Sequence, residues 1–310
     1  MESPKLTVPE IIEYCKNDLG IKFELCSEEK AAGFLQKNNY FFRLKQYAET
    51  WDNSDRTRGG KYIGLDFGHL IELSTIDMFF RKLIFKMTVD FEHNLKVKLV
   101  NECQNNQADD GYQVVEAFLT KRPKLRESIL KDPHIAEYSG IGMGSYLEHP
   151  AVWNIVELIS FRDFISFYDF YYDYFHLKGE YTMHFESIRR LRNAAAHNVC
   201  TLCSFKPVQH FKYDVEMCMN LATGNIGLNP TVVSSCLKVP LLNDFAVLLD
   251  CYSKLITSKR IKEMTLFELR DFFDGRMILH KDYFENCRDI KNAYNFARGV
   301  LELYIKELEG

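Results

Sequence analysis

Ten residues hold most of the chemistry in this chain: Arg189, Arg190, Leu191, Arg192, Asn193, Ala194, Ala195, Ala196, His197 and Asn198. Histidine is the residue type that titrates closest to neutrality, so His197 can take or give a proton. Arginine is always charged and can hold two phosphate oxygens at once, so Arg192 can stabilise a pentacoordinate phosphorus. Asn193 adds an amide that can fix the imidazole tautomer or donate to a phosphate. On a helix, about 100° of rotation per residue puts Asn193 and His197 on one face. Arg189 extends that face by a turn, and Arg192 flanks it. The three alanines keep the helix thin, so a partner helix or a polymer backbone can approach closely. Such a set can activate a ribose 2′-hydroxyl against the neighbouring phosphate, leaving a 2′,3′-cyclic phosphate. DNA lacks that hydroxyl and is not a substrate. This chemistry calls for no cofactor and no metal. One imidazole does one proton transfer well, and two supply both acid and base.

The elements that must position these groups read as helices throughout. The 310 residues include only eight Pro and sixteen Gly, too few turn formers for a sandwich or barrel. A helix begins at Thr7-Val8-Pro9-Glu10 and stops near Gly20. Ser27 caps a second, which runs through Phe34 and Leu35 to Asn38. Residues 52–64 read as a polar loop. From Phe67 to about Cys103, apolar residues recur at helical spacing without a proline, which predicts one long helix or two nearly continuous ones. Short helices are expected over 113–147. Another helix opens at Pro150 and passes into an aromatic continuation from Phe164 to Phe175. The helix carrying the ten residues is expected from about Thr182 to Leu202. Residues 203–235 are irregular, and two further helices cover about 240–257 and 289–308.

The net charge is −4, which does not advertise a nucleic-acid binder. Basic residues nevertheless gather in three stretches. One holds Arg189, Arg190, Arg192, Lys206, His210 and Lys212. A second holds Arg81, Lys82, Lys86, Lys96 and Lys98, and a third Arg43, Lys45, Arg56, Arg58 and Lys61. They are either solvated helix faces or an RNA-binding surface. Nine cysteines, an odd number with no regular framework, point to free thiols in a reducing cytoplasm. No apolar run is long enough for a bilayer, so a cytoplasmic protein with no membrane partner is expected.

Arg192, Asn193 and His197 form the R-N-x-x-x-H pattern and resemble the motif of the HEPN ribonucleases. Other residues resemble the Abi family of abortive-infection, phage-defence proteins. Ser27 to Leu35 looks like that family's capped helix, leading into an aromatic segment at Tyr40, Arg43, Leu44 and Tyr47. Asp77, Arg81 and Glu92 stand in the family's D…R…E register. Pro150, Trp153, Glu157 and Phe161 match its P-x-W-x-x-x-E-x-x-x-F signature. Lys96 stands where a second Arg is usual, and Arg162 stands where Gly commonly follows the Phe. The resemblance covers about residues 5–205. It implies an all-α, HEPN-like helical bundle over 1–205, with an additional C-terminal helical region over 206–310. It implies a metal-independent endoribonuclease of an abortive-infection or toxin-antitoxin antiviral system, with Arg192, Asn193 and His197 catalytic. It further implies a homodimer that pairs two motifs, and an antitoxin or inhibitor, either a small RNA or a protein. The alternative is a HEPN scaffold that binds RNA or a protein without cleaving.

Candidate RNA-binding residues beside the catalytic set are Arg189, Arg190, Arg81, Lys82, Lys86 and His93. Cys200-x-x-Cys203 is either a metal or redox pair or two structural thiols. The aromatic run from Phe167 to Phe175 either packs the core or stacks bases.

Overall fold

The computed structural model describes residues 5–51, 60–131, 144–213, 216–217, 220–221 and 227–309. Among them lie fourteen α-helices: α1 (Val8–Asn17), α2 (Glu28–Lys37), α3 (Phe41–Tyr47), α4 (Phe67–Asn105), α5 (Gln113–Thr120), α6 (Pro123–Lys131), α7 (Gly144–Glu148), α8 (Val152–Leu158), α9 (Phe161–Tyr174), α10 (Phe185–Ala196), α11 (Pro230–Leu237), α12 (Pro240–Leu255), α13 (Lys259–Asp274) and α14 (Arg288–Glu309). The protein is all-α, as expected. The described residues form no strand, and extended pairing is limited to one bridge between Lys22 and Asp66.

The long helix α4 is the axis of the molecule. Asp66 caps it by accepting from the Gly68 backbone N–H at 2.7 Å, and the Asp66 N–H donates to His69 Nδ1 at 2.9 Å. Eighteen of its 39 residues are buried, because helices pack on it from several sides. Helix α10 runs antiparallel to it. Arg81, early on α4, reaches the Val199 carbonyl just past the end of α10, while Lys98 meets Glu180 ahead of its start.

The helices after residue 229 pack on the same pair. Arg190 of α10 forms a two-pronged ion pair with Asp244 of α12, at 2.8 and 2.6 Å. Tyr252 of α12 donates to Asp90 of α4 at 3.1 Å, and the Phe80 and Phe245 rings lie 5.7 Å apart. Arg276 grips the buried Glu72 of α4 at 2.5 and 2.9 Å. Buried apolar residues from both stretches thus form one continuous core.

On the other side, α8 is seated by Trp153. Its ring packs over Gly111, where an added Cβ would lie 2.6 Å from the indole. Gly111 has φ +78°, which also favours glycine. The aromatic run settles as core: Phe167, Tyr168, Tyr171 and Tyr172 are all buried.

No single helix among the described residues is long and apolar enough to cross a membrane. The bent pair α11 and α12, which reaches the length, turns by 101°. Of the basic residues expected near the N-terminus, Arg56 and Arg58 lie outside the described residues, as does most of the expected loop at 52–64.

Candidate functional site

Helix α10 does not continue to Leu202. It ends at Ala196, with His197 as its C-cap and Asn198 in the left-handed region at φ +54°. The Val199 N–H bonds back to the Ala194 carbonyl at 2.8 Å, and the Asn198 N–H to that of Ala195 at 3.2 Å. This paired closure is a Schellman turn, and asparagine is the usual substitute for glycine at its left-handed position. Asn198 therefore stops the helix one residue after His197. The His197 side chain stands exposed at the mouth of the turn rather than inside a helix.

The segment leaving the turn is held by a buried carboxylate. Asp77 of α4 is fully buried and accepts from Tyr47 Oη, from Arg81 Nη1, and from both the N–H and the hydroxyl of Thr201. Arg81 Nη1 also donates to the Val199 carbonyl at 3.2 Å. Burial, with the neighbouring Asp77 charge, pushes the Tyr47 hydroxyl pKa upward, so it stays protonated and donates. Arg81 is the clear departure from the expected RNA-binding set. Its side chain is 6% exposed and spent on Asp77, so it cannot meet a polymer.

Arg192 faces α4. Its Nε lies 3.3 Å from Glu92 Oε2, but off the direction of a hydrogen bond, so the contact is an ion pair. Its guanidinium sits 5.3 Å from the centre of the Phe161 ring. Glu92 also pairs with Lys96 at 3.5 Å, and Lys96 lies 3.9 Å from Glu157. Arg192 keeps 28% of its side chain exposed, so one edge remains open. The described structure joins neither the Asn193 amide nor the His197 imidazole to Arg192 by a hydrogen bond. Asn193 is half-buried, and no partner among the described residues holds either side chain.

The basic stretch along α4 is largely compensated. Besides Arg81, Lys86 pairs with Glu268 at 2.5 Å and Lys98 with Glu180 at 3.3 Å. Lys82 and His93 are exposed. Arg189 pairs with Glu186 at 2.8 Å. The hydrogen bonds that Arg190 donates to Asp244 raise its pKa further. Lys86, Arg189 and Arg190 thus have internal partners that an RNA contact would have to displace. Beyond the turn, Lys206, His210 and Lys212 are exposed with no carboxylate partner among the described residues.

Cys200 is buried against the Arg43 carbonyl at 3.7 Å. Burial raises the Cys203 thiol pKa, which opposes a thiolate ligand or nucleophile. Neither joins a group of metal-ligating side chains among the described residues.

Glu92, Lys96, Glu157, Phe161 and Arg192, drawn from three separate stretches of the sequence, therefore meet where α4, α8, α9 and α10 come together. Residues 33–201, more than half of the chain, match the family described as Abi-like protein. The chain belongs to that family. The matched span runs from α2 through the Schellman turn to Thr201, and so includes the cluster around Arg192, His197 and the Asp77 latch. No curated protein and no solved structure matches the chain.

Proposed function

We propose that this Abi-like protein is a metal-independent endoribonuclease of an abortive-infection or toxin-antitoxin type defence system. In that reading the ribose 2′-oxygen attacks phosphorus, the bond to the 5′-oxygen breaks, and a 2′,3′-cyclic phosphate and a 5′-hydroxyl remain. One His197 takes the 2′-hydroxyl proton. A second His197, from a facing copy of the chain, gives a proton to the leaving oxygen. Arg192 stabilises the phosphorane charge, with Glu92 and Phe161 holding its guanidinium in place. Asn193 orients an imidazole or a phosphate oxygen.

The observation that carries the reading is the state of His197. It is exposed at a defined turn, with no bond to a described residue, while Arg189, Arg190 and Arg192 around it are all paired. A histidine kept for packing would be buried or bonded. The free cations Lys206 and Lys212 further along supply contacts for a phosphate backbone.

A second reading has one observation in its favour. The Glu92 carboxylate already neutralises Arg192, which suits a scaffold that binds RNA or a protein without cleaving.

The two readings separate on incubation of purified protein with total RNA in EDTA. The nuclease reading expects cleavage with cyclic phosphate ends, and none when a single 2′-deoxy nucleotide occupies the cut position. RNA binding without cleavage, in the presence of any cellular activator added as lysate, would favour the scaffold.

A further inference from the structure

The helices that follow α11 close a cavity of about 130 Å³ against α4. Its walls include Ile76 and Phe80 of α4, Leu242 and Phe245 of α12, Phe273 of α13 and Ala297 of α14. Of its eighteen lining residues, only Lys281, Lys291 and Tyr294 carry polar groups. The Tyr294 hydroxyl is already engaged by the Phe273 carbonyl at 3.4 Å. A void with such walls forfeits dispersion contacts on one side and does not hold water well. An apolar cavity only slightly larger, about 150 Å³, stays dry and accepts benzene.

The two lysines are exposed, which places them at the mouth. Lys291 Nζ donates only to the Glu285 carbonyl, at 3.3 Å, and Lys281 has no ion-pair partner among the described residues. No carboxylate lines the cavity. Both ammonium groups therefore remain available to an anion at the opening of an otherwise apolar cavity.

We propose that this cavity binds a small amphipathic carboxylate, with an aryl or short alkyl body inside and its anionic end between Lys281 and Lys291. The volume sets the body at about one phenyl ring. The site is independent of the nuclease reading, although it touches the same chain segment. Leu202 and Phe205 line it, and Leu202 directly follows the Thr201 that Asp77 holds.

Isothermal titration of the full chain with 3-phenylpropionate and with its neutral amide tests the assignment. The acid should bind one to one, about fivefold more tightly than the amide, as partly exposed ion pairs allow. Lys281→Gln with Lys291→Gln should bring the acid down to the affinity of the amide. Ala297→Phe, which fills the cavity, should remove binding of both, with an unchanged far-ultraviolet spectrum showing the fold intact. Ala293→Leu serves the same purpose should Ala297→Phe fail to fold. Absence of saturable binding by either compound would overturn the proposal. So would undiminished binding to a folded cavity-filled variant, or equal affinity for acid and amide that the lysine changes leave untouched.

Discussion

Asp77→Asn should destabilise the protein by about 3–5 kcal/mol, the usual cost of breaking a buried ion pair from one side. The structure gives the reason atom by atom. Oδ2 receives the Tyr47 hydroxyl and Arg81 Nη1, and Oδ1 receives the Thr201 hydroxyl. An asparagine that keeps its oxygen toward Thr201 turns its NH2 onto two donors. Flipped, it faces the Thr201 donors instead. Unflipped, the Arg81 charge, with its side chain 6% exposed, is left with the Val199 carbonyl alone; flipped, it keeps only a neutral amide oxygen in place of the carboxylate. Against the roughly 5–15 kcal/mol that holds a domain folded, this is a large fraction. Urea unfolding followed by circular dichroism at neutral pH measures it. Adding Arg81→Met should restore much of the loss, because it removes the buried charge that Asp77→Asn leaves uncompensated. An Asp77→Asn variant within about 1 kcal/mol of wild type, the level of an exposed pair, would refute the reasoning. So would a double variant no more stable than the single one.

Three further outcomes follow from particular residues. Asn198→Val forces a β-branched side chain into φ +54° and should cost about 1–3 kcal/mol, whereas Asn198→Gly should be nearly neutral; thermal melts of the two variants compare them. Lys206→Ala and Lys212→Ala should each weaken RNA binding alike across sequences and reduce the slope of log affinity against log salt by about 0.7–0.9, read by filter binding at several salt concentrations. Burial lowers the His69 pKa, and its neutral Nδ1 accepts the Asp66 N–H. The unfolded chain therefore takes up that proton at higher pH than the folded one. The stability from His69 is complete above its ordinary value of about 6.5 and is lost as pH falls through the lower folded value, so urea midpoints should drop between pH 7.5 and 5. That drop should shrink in His69→Phe, which keeps the stack on Trp51.

Much of the helical frame was legible because its signals are local. The apolar period from Phe67 onward predicted α4 to within two residues of its end, and Ser27 caps α2 as expected. The end of α10 was not, because Asn198 looks like any polar helix residue until the left-handed turn forms. Helix α13 was missed outright. Its signals, the buried stripe of Leu266, Leu269 and Phe273 and the Ser258 cap at its start, are interleaved with the charged Glu263, Glu268, Asp271 and Asp274. At the candidate site, the R-N-x-x-x-H pattern points to Arg192, Asn193 and His197 but says nothing of what surrounds them. The contact of Arg192 with Glu92 depends on how α4 crosses α10, which no spacing within one helix reveals. Arg81 shows the reverse case. Its i, i+4 distance from Asp77 is itself the signature of an ion pair, and read that way it would have left the RNA-binding set.

The most direct test compares wild type and His197→Ala, prepared in parallel, on one RNA under the same chelated conditions. Because His197 lies exposed at the C-cap, the substitution should leave folding unchanged and lower the cleavage rate by at least about 10²-fold, the minimum expected for loss of an acid–base group. Equal cleavage by the two proteins would contradict the central claim that His197 moves the protons.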